Sequence, residues 1–334
     1  MATIYEVSTL AGVSLATVSR VMNNSAHVTD KTRQKVLSAM AELGYRPNSI
    51  AQSLASNRSN SVGILVPELH GPFFSTILSG IEAELRGARK HVIITVGHSD
   101  KEKEIDGIEF LMSRNCDALI LHVDAVSDPW LVELSAGSTP IVLINRSIPA
   151  MASNCINLDN EHGGYVATKS LLELGHRDIA YISGPQWKKD ANERLVGHKK
   201  ALSEYGVRFN KNLMFEGDFH ESGGSKGMAQ LLQTGIRFSA VICGNDDMAA
   251  GAMDVARENG LAIPDDVSVV GFDNVNFAHF TYPKLSTVDY PMNDMGQMAA
   301  RWVLKNVYEQ GGLEIQNTFR PELISRASTG PLDR

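Results

Sequence analysis

The residues best suited to chemistry in this chain are polar side chains that follow short apolar runs. They are Asn145, Arg146, Asp190, Arg194, Asn245 and Asp273. Planar amides, carboxylates and guanidinium groups can each hydrogen-bond two adjacent hydroxyl groups. The set is therefore suited to a hydroxyl-rich small molecule such as a sugar, and Phe73 or Phe74 could cover the apolar face of its ring.

Each of these positions also has a structural interpretation. A single Asp or Asn at a strand end is more often a helix cap than a ligand-binding group. We expect Asp246 and Asp247 to include such a cap, because a helical pattern begins at Met248. Arg146 could instead form a structural ion pair. Of the two phenylalanines, Phe73 is the better candidate for the core, which leaves Phe74 for the ligand.

The elements that must position these residues are apolar runs separated by helical patterns. The runs are SVGILVP (61–67), HVIITVG (91–97), DALILHV (117–123), PIVLINR (140–146), DIAYISG (178–184), AVICGND (240–246) and VSVVGFD (267–273). Nearly continuous apolar strands between helices predict parallel sheets covered on both faces. The length suits two doubly wound lobes, and ligands of such folds bind beyond the carboxyl ends of the strands. The predicted fold class of this part is α/β.

The N-terminal stretch TIYEVSTLAGVSLATVSRVM (3–22) predicts two short helices joined by a tight turn. Thr3 and Glu6 have the spacing of a capping box at the start of the first helix. Gly12 permits the turn because it has no Cβ, and Ser14 is suited to cap the second helix. The spacing therefore predicts an all-α helix-turn-helix at this end of the chain.

A third helical pattern, capped by Thr29 and ended by Gly44, would brace this pair. A helix-turn-helix places its second helix in the major groove of DNA, although three short amphipathic helices also occur in ordinary protein cores. Arg20 could contact guanine, whose O6 and N7 suit a bidentate guanidinium. The residues predicted to face DNA are Ser14, Leu15, Ala16, Thr17, Ser19 and Arg20.

The charge distribution favours DNA binding at this end. Residues 1–58 hold six basic and three acidic side chains, a net charge of +3, whereas the whole chain has a net charge of −7. The remainder therefore carries −10. A basic head on an acidic body places the attraction for phosphate groups where it is needed.

Longer motifs resemble those of a known family. AGVSLATVSRVMN, followed by VTDKTRQKVLSAMAELGYRPNSIAQSLA, closely resembles the lactose/galactose repressor family. VLINR, CINLDNEHGGYVATKSLLELGH, DANERLVGHKKAL and NDDMAAGAM resemble its galactose repressor branch. The resemblance runs over nearly the whole chain and implies a dimeric, sugar-responsive transcriptional repressor that binds a palindromic operator.

The resemblance also implies a domain organisation. A DNA-binding domain would span 1–47 and a hinge helix with its linker 48–59. Asn48 is suited to cap the hinge helix, and Leu54 matches the leucine that wedges into the central base step. An effector-binding and dimerisation core resembling a periplasmic sugar-binding protein would span 60–334. Its N-lobe would comprise about 60–158 and 289–319, and its C-lobe about 159–288 and 320–334.

Within this core, the resemblance marks Asn145, Arg194, Asn245 and Asp273 as effector contacts. There is one departure: the family often has Asp-Pro-Phe-Phe where this chain has Gly71 before Pro72, which removes a carboxylate from the site. The tail RASTGPLDR has no heptads. A homodimer is therefore expected rather than the tetramer that a C-terminal helix builds.

Other classes of protein are disfavoured. The three cysteines are scattered and the ten histidines have no metal-ligand spacing, so neither a disulfide framework nor a metal is expected. Nucleotide-binding, metalloprotease and serine-hydrolase motifs do not occur, so we expect no cofactor and no enzymatic activity. The N-terminus lacks a signal-peptide pattern and no apolar run has membrane-spanning length, which favours a reducing cytoplasm and no membrane contact.

Three alternatives remain open at this stage. A soluble sugar-binding receptor without DNA function would not need the basic N-terminal unit, and an enzyme on a doubly wound fold would need catalytic motifs. A nucleoside- or purine-responsive regulator of the same family differs only in its effector. The absence of an aromatic-rich slot for a base favours a sugar, with galactose as the first choice.

Overall fold

The computed structural model describes residues 2–22, 27–46 and 58–332. The chain divides into two compact units, Met1–Asn60 and Ser61–Arg334. Asn48 and Leu54, and with them the predicted hinge helix, lie outside the described residues.

The first unit contains three helices: α1 (Ile4–Ala11), α2 (Leu15–Met22) and α3 (Asp30–Glu42). Thr3 and Glu6 form the predicted capping box, and Gly12 ends α1 in the left-handed conformation at φ 64°. Thr29 caps α3 by accepting a hydrogen bond from the Thr32 amide. The side chains that form the small core are Val7, Ala11, Val18, Val21, Val36 and Ala39. The predicted helix-turn-helix with a bracing helix is confirmed.

The second unit begins with alternating strands and helices around one six-stranded sheet. These elements are β1 (Ser61–Val66), α4 (Pro72–Gly87), β2 (His91–Val96), α5 (Lys101–Ser113), β3 (Ala118–Leu121), α6 (Asp128–Ser135), β4 (Ile141–Ile144), a 3-10 helix (Pro149–Asn154) and β5 (Cys155–Leu158). Strand β11 (Thr318–Phe319) joins this sheet, whose order is β11-β5-β4-β3-β1-β2. All its pairings are parallel. We use N-lobe for this sheet and its helices.

A second six-stranded sheet follows. Its elements are α7 (Asn160–Glu173), β6 (Ile179–Ser183), α8 (Lys189–Glu204), a 3-10 helix (Lys211–Leu213), β7 (Met214–Glu216), α9 (Glu221–Gln233), β8 (Ala240–Cys243), α10 (Asp246–Glu258), β9 (Ser268–Asp273), a 3-10 helix (Asn276–His279), β10 (Ser286–Asp289) and β12 (Leu323–Ile324). The order is β12-β10-β9-β8-β6-β7, and only the β10–β12 pairing is antiparallel. We use C-lobe for this sheet and its helices. Helix α11 (Met292–Asn306) returns to the N-lobe and packs against α4.

Central strands are buried on both faces, which explains their apolar character. Every residue of β3, β4 and β8 is buried, and Ile64 of β1 lies opposite Ile120 of β3 in the parallel register. Branched apolar side chains fill both faces of such a sheet because helices cover each side. The predicted α/β class with two doubly wound lobes is confirmed. The apolar runs found in the sequence became strands, whereas the segments that form β5, β7 and β10–β12 had no clear apolar pattern.

Glycines bring two C-lobe helices into close contact. A Cβ on Gly164 of α7 would overlap the backbone carbonyl of Arg194 in α8. A Cβ on Gly197 of α8 would overlap the carbonyl of Glu161. Since only glycine allows two backbones to approach so closely, this crossing places Arg194 beside the N-terminal end of α7. Among the described residues, no helix is both long and apolar enough to cross a membrane.

Candidate functional site

Helix α2 of the first unit divides its residues between core and surface. Val18 and Val21 are buried, whereas Ala16 and Arg20 are exposed and lie one turn apart. Leu15, an apolar residue, is 36% exposed. The Thr17 amide donates to Ser14 Oγ at 3.2 Å, and the two hydroxyls lie 2.9 Å apart. The surface therefore presents a guanidinium, two small or apolar side chains and paired hydroxyls, which suits a DNA groove with its flanking phosphates.

A cavity of about 640 Å³ opens at the carboxyl ends of the strands in the second unit. Both lobes contribute to its lining. Five of the predicted effector residues line it: Phe74, Asp190, Arg194, Asn245 and Asp273. Phe73 lines it as well, and its ring packs edge-on against those of Phe74 and Tyr290. The sequence predicted that one of Phe73 and Phe74 packs in the core and the other faces the ligand. In the structure both are half-buried beside the cavity, so the two are not divided in this way.

Arg194 is the best-held charged side chain of the cavity. Its Nε donates to Asn160 Oδ1 at 2.9 Å, and its Nη1 donates to the Gly244 carbonyl at 2.6 Å. The guanidinium carbon lies 3.6 Å from the centre of the Phe272 ring, a favourable cation–π position. With 3% of Arg194 exposed, the group is fixed in one orientation before any ligand arrives.

Asn160 continues this network to the N-lobe. Its Nδ2 donates to Asn145 Oδ1 at 3.1 Å, and Asn145 Nδ2 donates to Asp190 Oδ2 at 3.2 Å. Asn145 comes from the end of β4, whereas Asp190 lies in the first turn of α8. Asn145 thus connects the two lobes, although it contributes to the cavity through Asp190 rather than as a lining residue.

Asp273 is buried next to Arg194 and forms a long ion pair with it. Its Oδ1 lies 3.7 Å from Arg194 Nη1 and accepts no hydrogen bond from the described residues. Burial raises the pKa of Asp273 well above its ordinary value, and the Arg194 charge only partly opposes this. Asp273 also has a left-handed backbone, φ 109°, as does Asn145 at φ 57°. Strained backbone and an unsatisfied acceptor are features that ligand-binding sites retain.

Asn245 has a structural duty in addition to lining the cavity. Its Oδ1 accepts from the Met248 amide at 3.0 Å, which caps α10, and its Nδ2 donates to the Phe219 carbonyl at 2.8 Å. The expectation that Asp246 or Asp247 provides this cap was wrong. Asp246 instead accepts from the Val275 amide and the Thr287 hydroxyl, and burial raises its pKa to about 7.

Arg146 requires a correction, because it does not line the cavity. Its guanidinium pairs with Asp128 at 2.7 Å and donates to the carbonyl groups of Val123, Asp124 and Val126. These bonds use the donors that an effector would need. Arg146 therefore holds the loop after β3 in place, as the structural alternative anticipated.

Glu104 holds the same loop from its amide side. Its buried carboxylate accepts from the amides of residues 124, 125 and 126 at 2.8–3.1 Å. Burial raises the pKa of Glu104, and these three hydrogen bonds partly offset the rise. Glu104 thus binds the amides of this loop and Arg146 binds its carbonyl groups, so hydrogen bonds from both sides hold the loop where it reaches the cavity.

Comparisons with known proteins agree with this arrangement. A family model described as bacterial regulatory proteins, lacI family, matches residues 3–48, and one for a periplasmic binding protein-like domain matches residues 168–329. The HTH-type transcriptional regulator GalR of Escherichia coli (strain K12) is 39% identical over 98% of this chain and 96% of its own. The chain belongs to the LacI family of bacterial regulatory proteins.

Two further relatives show how widely the match extends. The ribose operon repressor of Haemophilus influenzae is 34% identical over 92% of each chain. A solved structure of the lac repressor dimer bound to operator and the anti-inducer ONPF has a TM-score of 0.87 at 30% identity, covering 98% of this chain and 99% of that one. As a LacI-family member, the chain is a DNA-binding transcriptional regulator and not an enzyme.

Several residues of this LacI-family cavity were missed from the sequence. Lys188 Nζ donates to Asp124 Oδ2 at 2.8 Å and to Ser99 Oγ at 2.9 Å, which joins the C-lobe to two N-lobe loops. Burial raises the pKa of Asp124, but the charges of Lys188 and His122 outweigh it and the net shift is downward. These residues are 25 to 89 positions apart. The periodicity and motifs considered in the sequence could not have connected them.

His122 is a second missed residue. It is 5% exposed, lies edge-on to Phe74 with 5.3 Å between ring centres, and burial lowers its pKa. Its position at the cavity adds an imidazole beside the aromatic wall, and its Nδ1 has no hydrogen-bond partner among the described residues.

Proposed function

We propose that this regulator represses sugar-metabolism genes and is released from its operator by a small neutral sugar, with galactose as the first choice. The observation that carries this proposal is the cavity, in which buried hydrogen bonds hold Arg194 and the neighbouring buried Asp273 keeps a carboxylate oxygen that accepts no hydrogen bond from the described residues. The resemblance to the galactose repressor branch supports the particular sugar. The proposal also places the protein in the cytoplasm, where its DNA target would be.

The charge of the cavity favours a neutral ligand. Seven carboxylates line it: Glu68, Asp124, Asp190, Asp218, Glu221, Asp247 and Asp273. Only Lys188 and Arg194 are lasting positive charges in the same lining, and each already lies near a carboxylate. A sugar phosphate or a nucleotide would meet net repulsion here, whereas sugar hydroxyls can donate to the carboxylates.

An uncharged nucleoside or purine is the second candidate effector. Phe219 lines the cavity together with Phe73 and Phe74, so the site has more aromatic surface than the sequence suggested. Flat rings can pack on the face of a base as well as on the apolar face of a sugar. The effector screen must therefore include both classes.

For the DNA side, we propose that α2 reads the operator as one half of a homodimer on a palindrome. Arg20 would contact guanine, Leu15 and Ala16 would make apolar contacts, and the hydroxyls of Ser14 and Thr17 would bind phosphates. The exposure of Ser14, Leu15, Ala16 and Arg20 and the positive charge of residues 1–58 support these roles, and Thr17 is half-buried beside them. Ser19, which is half-buried, would lie at the edge of this surface.

Leu54 and Asn48 belong to the same proposal through the family resemblance alone. Two hinge segments meeting at the dyad would insert Leu54 at a flexible central step and bend the DNA. Leu54→Ala should then reduce bending and weaken operator binding, and leave sugar binding unchanged. Circular-permutation gel shifts measure the bend angle, and an unchanged angle in the variant would rule out the wedge.

The switch would follow from the connection of the two lobes. Lys188 bonds across the lobes to Asp124, and Asn145 bonds across them to Asp190. A ligand bound by both lobes favours the lobe arrangement to which it binds most tightly. If that arrangement separates the N-lobes of the dimer, operator affinity falls, with a coupling of roughly 1–3 kcal/mol.

The decisive experiment is an operator gel shift at fixed salt concentration, with D-galactose titrated into the complex. We expect release of the operator, and by reciprocity the operator should weaken galactose binding by the same factor. D-glucose, the C4 epimer, serves as a matched control, and adenosine and hypoxanthine represent the alternative class. Tighter operator binding in the presence of galactose would show that galactose acts as a corepressor and not as an inducer. If operator binding responds only to adenosine or hypoxanthine, the effector is a nucleoside or purine and not a sugar.

A further inference from the structure

Two histidines from opposite lobes stack at the edge of the cavity. His70 lies in the N-lobe between β1 and α4, and His220 immediately precedes α9 of the C-lobe. Their ring centres are 5.7 Å apart and the ring planes are inclined by 20°. Glu68 Oε2 lies 3.3 Å from His70 Nδ1. The fold thus brings together three side chains that are up to 152 positions apart in the sequence, from 68 to 220.

We propose that Glu68, His70 and His220 bind a divalent transition-metal ion of the zinc class. One ligand atom from each of the three residues lies within 4.8 Å of the others. Two imidazoles and a carboxylate are a donor set that zinc accepts, with bonds of roughly 2.0–2.2 Å and an approximately tetrahedral geometry. Imidazole ligands disfavour Mg²⁺ and Ca²⁺, which prefer oxygen.

The side chains have the freedom to close onto an ion. The His70 side chain is 72% exposed and that of Glu68 33% exposed, and His220 is exposed as well. Rotation of exposed side chains between staggered rotamers shifts their ligand atoms without disturbing a core. Two buried histidines differ, because side-chain hydrogen bonds hold them: His176 bonds to Ser239 and the Gly330 carbonyl, and His198 bonds to Thr168.

Because of the position of this cluster, a bound ion would affect the arrangement of the two lobes, in addition to the proposed response to the effector. All three residues line the same cavity, and only His220 comes from the C-lobe. An ion held by all three would tie the lobes together at the edge of the cavity and leave a fourth coordination position open. The ion would thereby stabilise the lobe arrangement in which these residues are close.

The test uses the full chain without a histidine tag, titrated with Zn²⁺ by calorimetry and with Co²⁺ by absorption spectroscopy. We expect one ion per chain. His70→Ala and His220→Ala should each weaken Zn²⁺ binding by more than ~10-fold, the lower end of the loss caused even by outer-shell changes at metal sites. Zn²⁺ should also raise the melting temperature of the wild type but not that of either variant.

The matched control is His98→Asn, since His98 is exposed and lines the same cavity but lies outside the cluster. Asn tolerates the left-handed backbone of that position, φ 52°. Melting curves in EDTA verify that every variant is folded. Three results would overturn the proposal: no Zn²⁺ binding to the wild type, equal binding by the His220 variant, or equal competition by Mg²⁺. None of them bears on the response to galactose.

Discussion

The helix-turn-helix unit and the cavity place their functional side chains in two different ways. The proposed DNA-facing residues of α2 and its cap fall within seven consecutive positions, 14–20, and Ser14 and Thr17 hydrogen-bond each other within this stretch. In the cavity, Arg194 is held by the Gly244 carbonyl 50 positions away and by Asn160 34 positions away. The first site depends on local spacing, whereas the second depends on tertiary packing.

The substitution with the largest expected effect tests the packing around Arg194 in the cavity. Arg194→Ala would leave Asp273 buried without its neighbouring cation and Asn160 without its donor, a change that typically costs about 3–5 kcal/mol of stability. Effector binding should be lost, while operator binding persists because the first unit has its own core. Urea unfolding and calorimetry with the effector measure these quantities.

The control for this prediction is Arg177→Ala. Arg177 is exposed and donates to the carbonyl groups of Leu172 and His176 outside the cavity. We expect a small stability change and normal effector binding. An Arg194→Ala protein that binds its effector as the wild type does would remove Arg194 from the site. Loss of operator binding by a folded Arg194→Ala protein would contradict the independence of the two sites.

The second prediction concerns the close crossing of α7 and α8. Gly164→Ala adds a methyl group against the Arg194 carbonyl and should cost roughly 1–3 kcal/mol through overpacking. Because the displaced helix carries Arg194, effector affinity should fall as well. Gly87→Ala is the matched control, since nothing lies within 4 Å of its added Cβ and its φ is not positive. Equal stability of the two variants in urea would show that the crossing tolerates a larger separation.

The sequence was sufficient where a pattern repeats or a motif is local. The apolar runs predicted the central strands, and the caps at Thr3 and Thr29 predicted the helix starts. Polar residues at strand ends pointed to Asn245 and Asp273, because parallel strands bring their carboxyl ends to one edge. These predictions needed only side-chain periodicity and one general rule of open sheets.

The sequence was insufficient to predict which of several distant partners a side chain contacts. Arg146 and Arg194 both follow apolar runs. The Arg146 guanidinium nevertheless pairs with Asp128 and donates to nearby carbonyl groups, whereas Arg194 lines the cavity. The pairing of Lys188 with Asp124 joins positions 64 apart. Such choices depend on the relative placement of two lobes, which the spacing of residues along the chain does not contain.

The third prediction tests the site that depends on local spacing. Arg20→Ala should cost roughly 1–3 kcal/mol of operator binding and relax the preference at one base pair. Lys31→Ala is a charge-matched control in the same unit, where Lys31 is exposed on α3. It should weaken binding to all sequences about equally. Competition gel shifts with operator and random DNA distinguish the two, and an unchanged preference in Arg20→Ala would defeat the assignment.

The smallest expected effect concerns the capping box that starts the first unit. Thr3 Oγ1 accepts from the Glu6 amide, and Glu6 Oε2 accepts from the Thr3 amide at 2.7 Å. Thr3→Ala should cost about 1 kcal/mol of stability in this unit. Thr9→Ala in the same helix is the matched control, because Thr9 only donates back to the Tyr5 carbonyl and should be nearly neutral. Hydrogen exchange of the α1 amides compares the two variants. Equal protection of the α1 amides in the two variants would mean that packing of Val7 and Ala11, rather than the local cap, holds α1. The helix-turn-helix unit would then depend on tertiary packing as the cavity does, and the contrast between these two sites would be weaker.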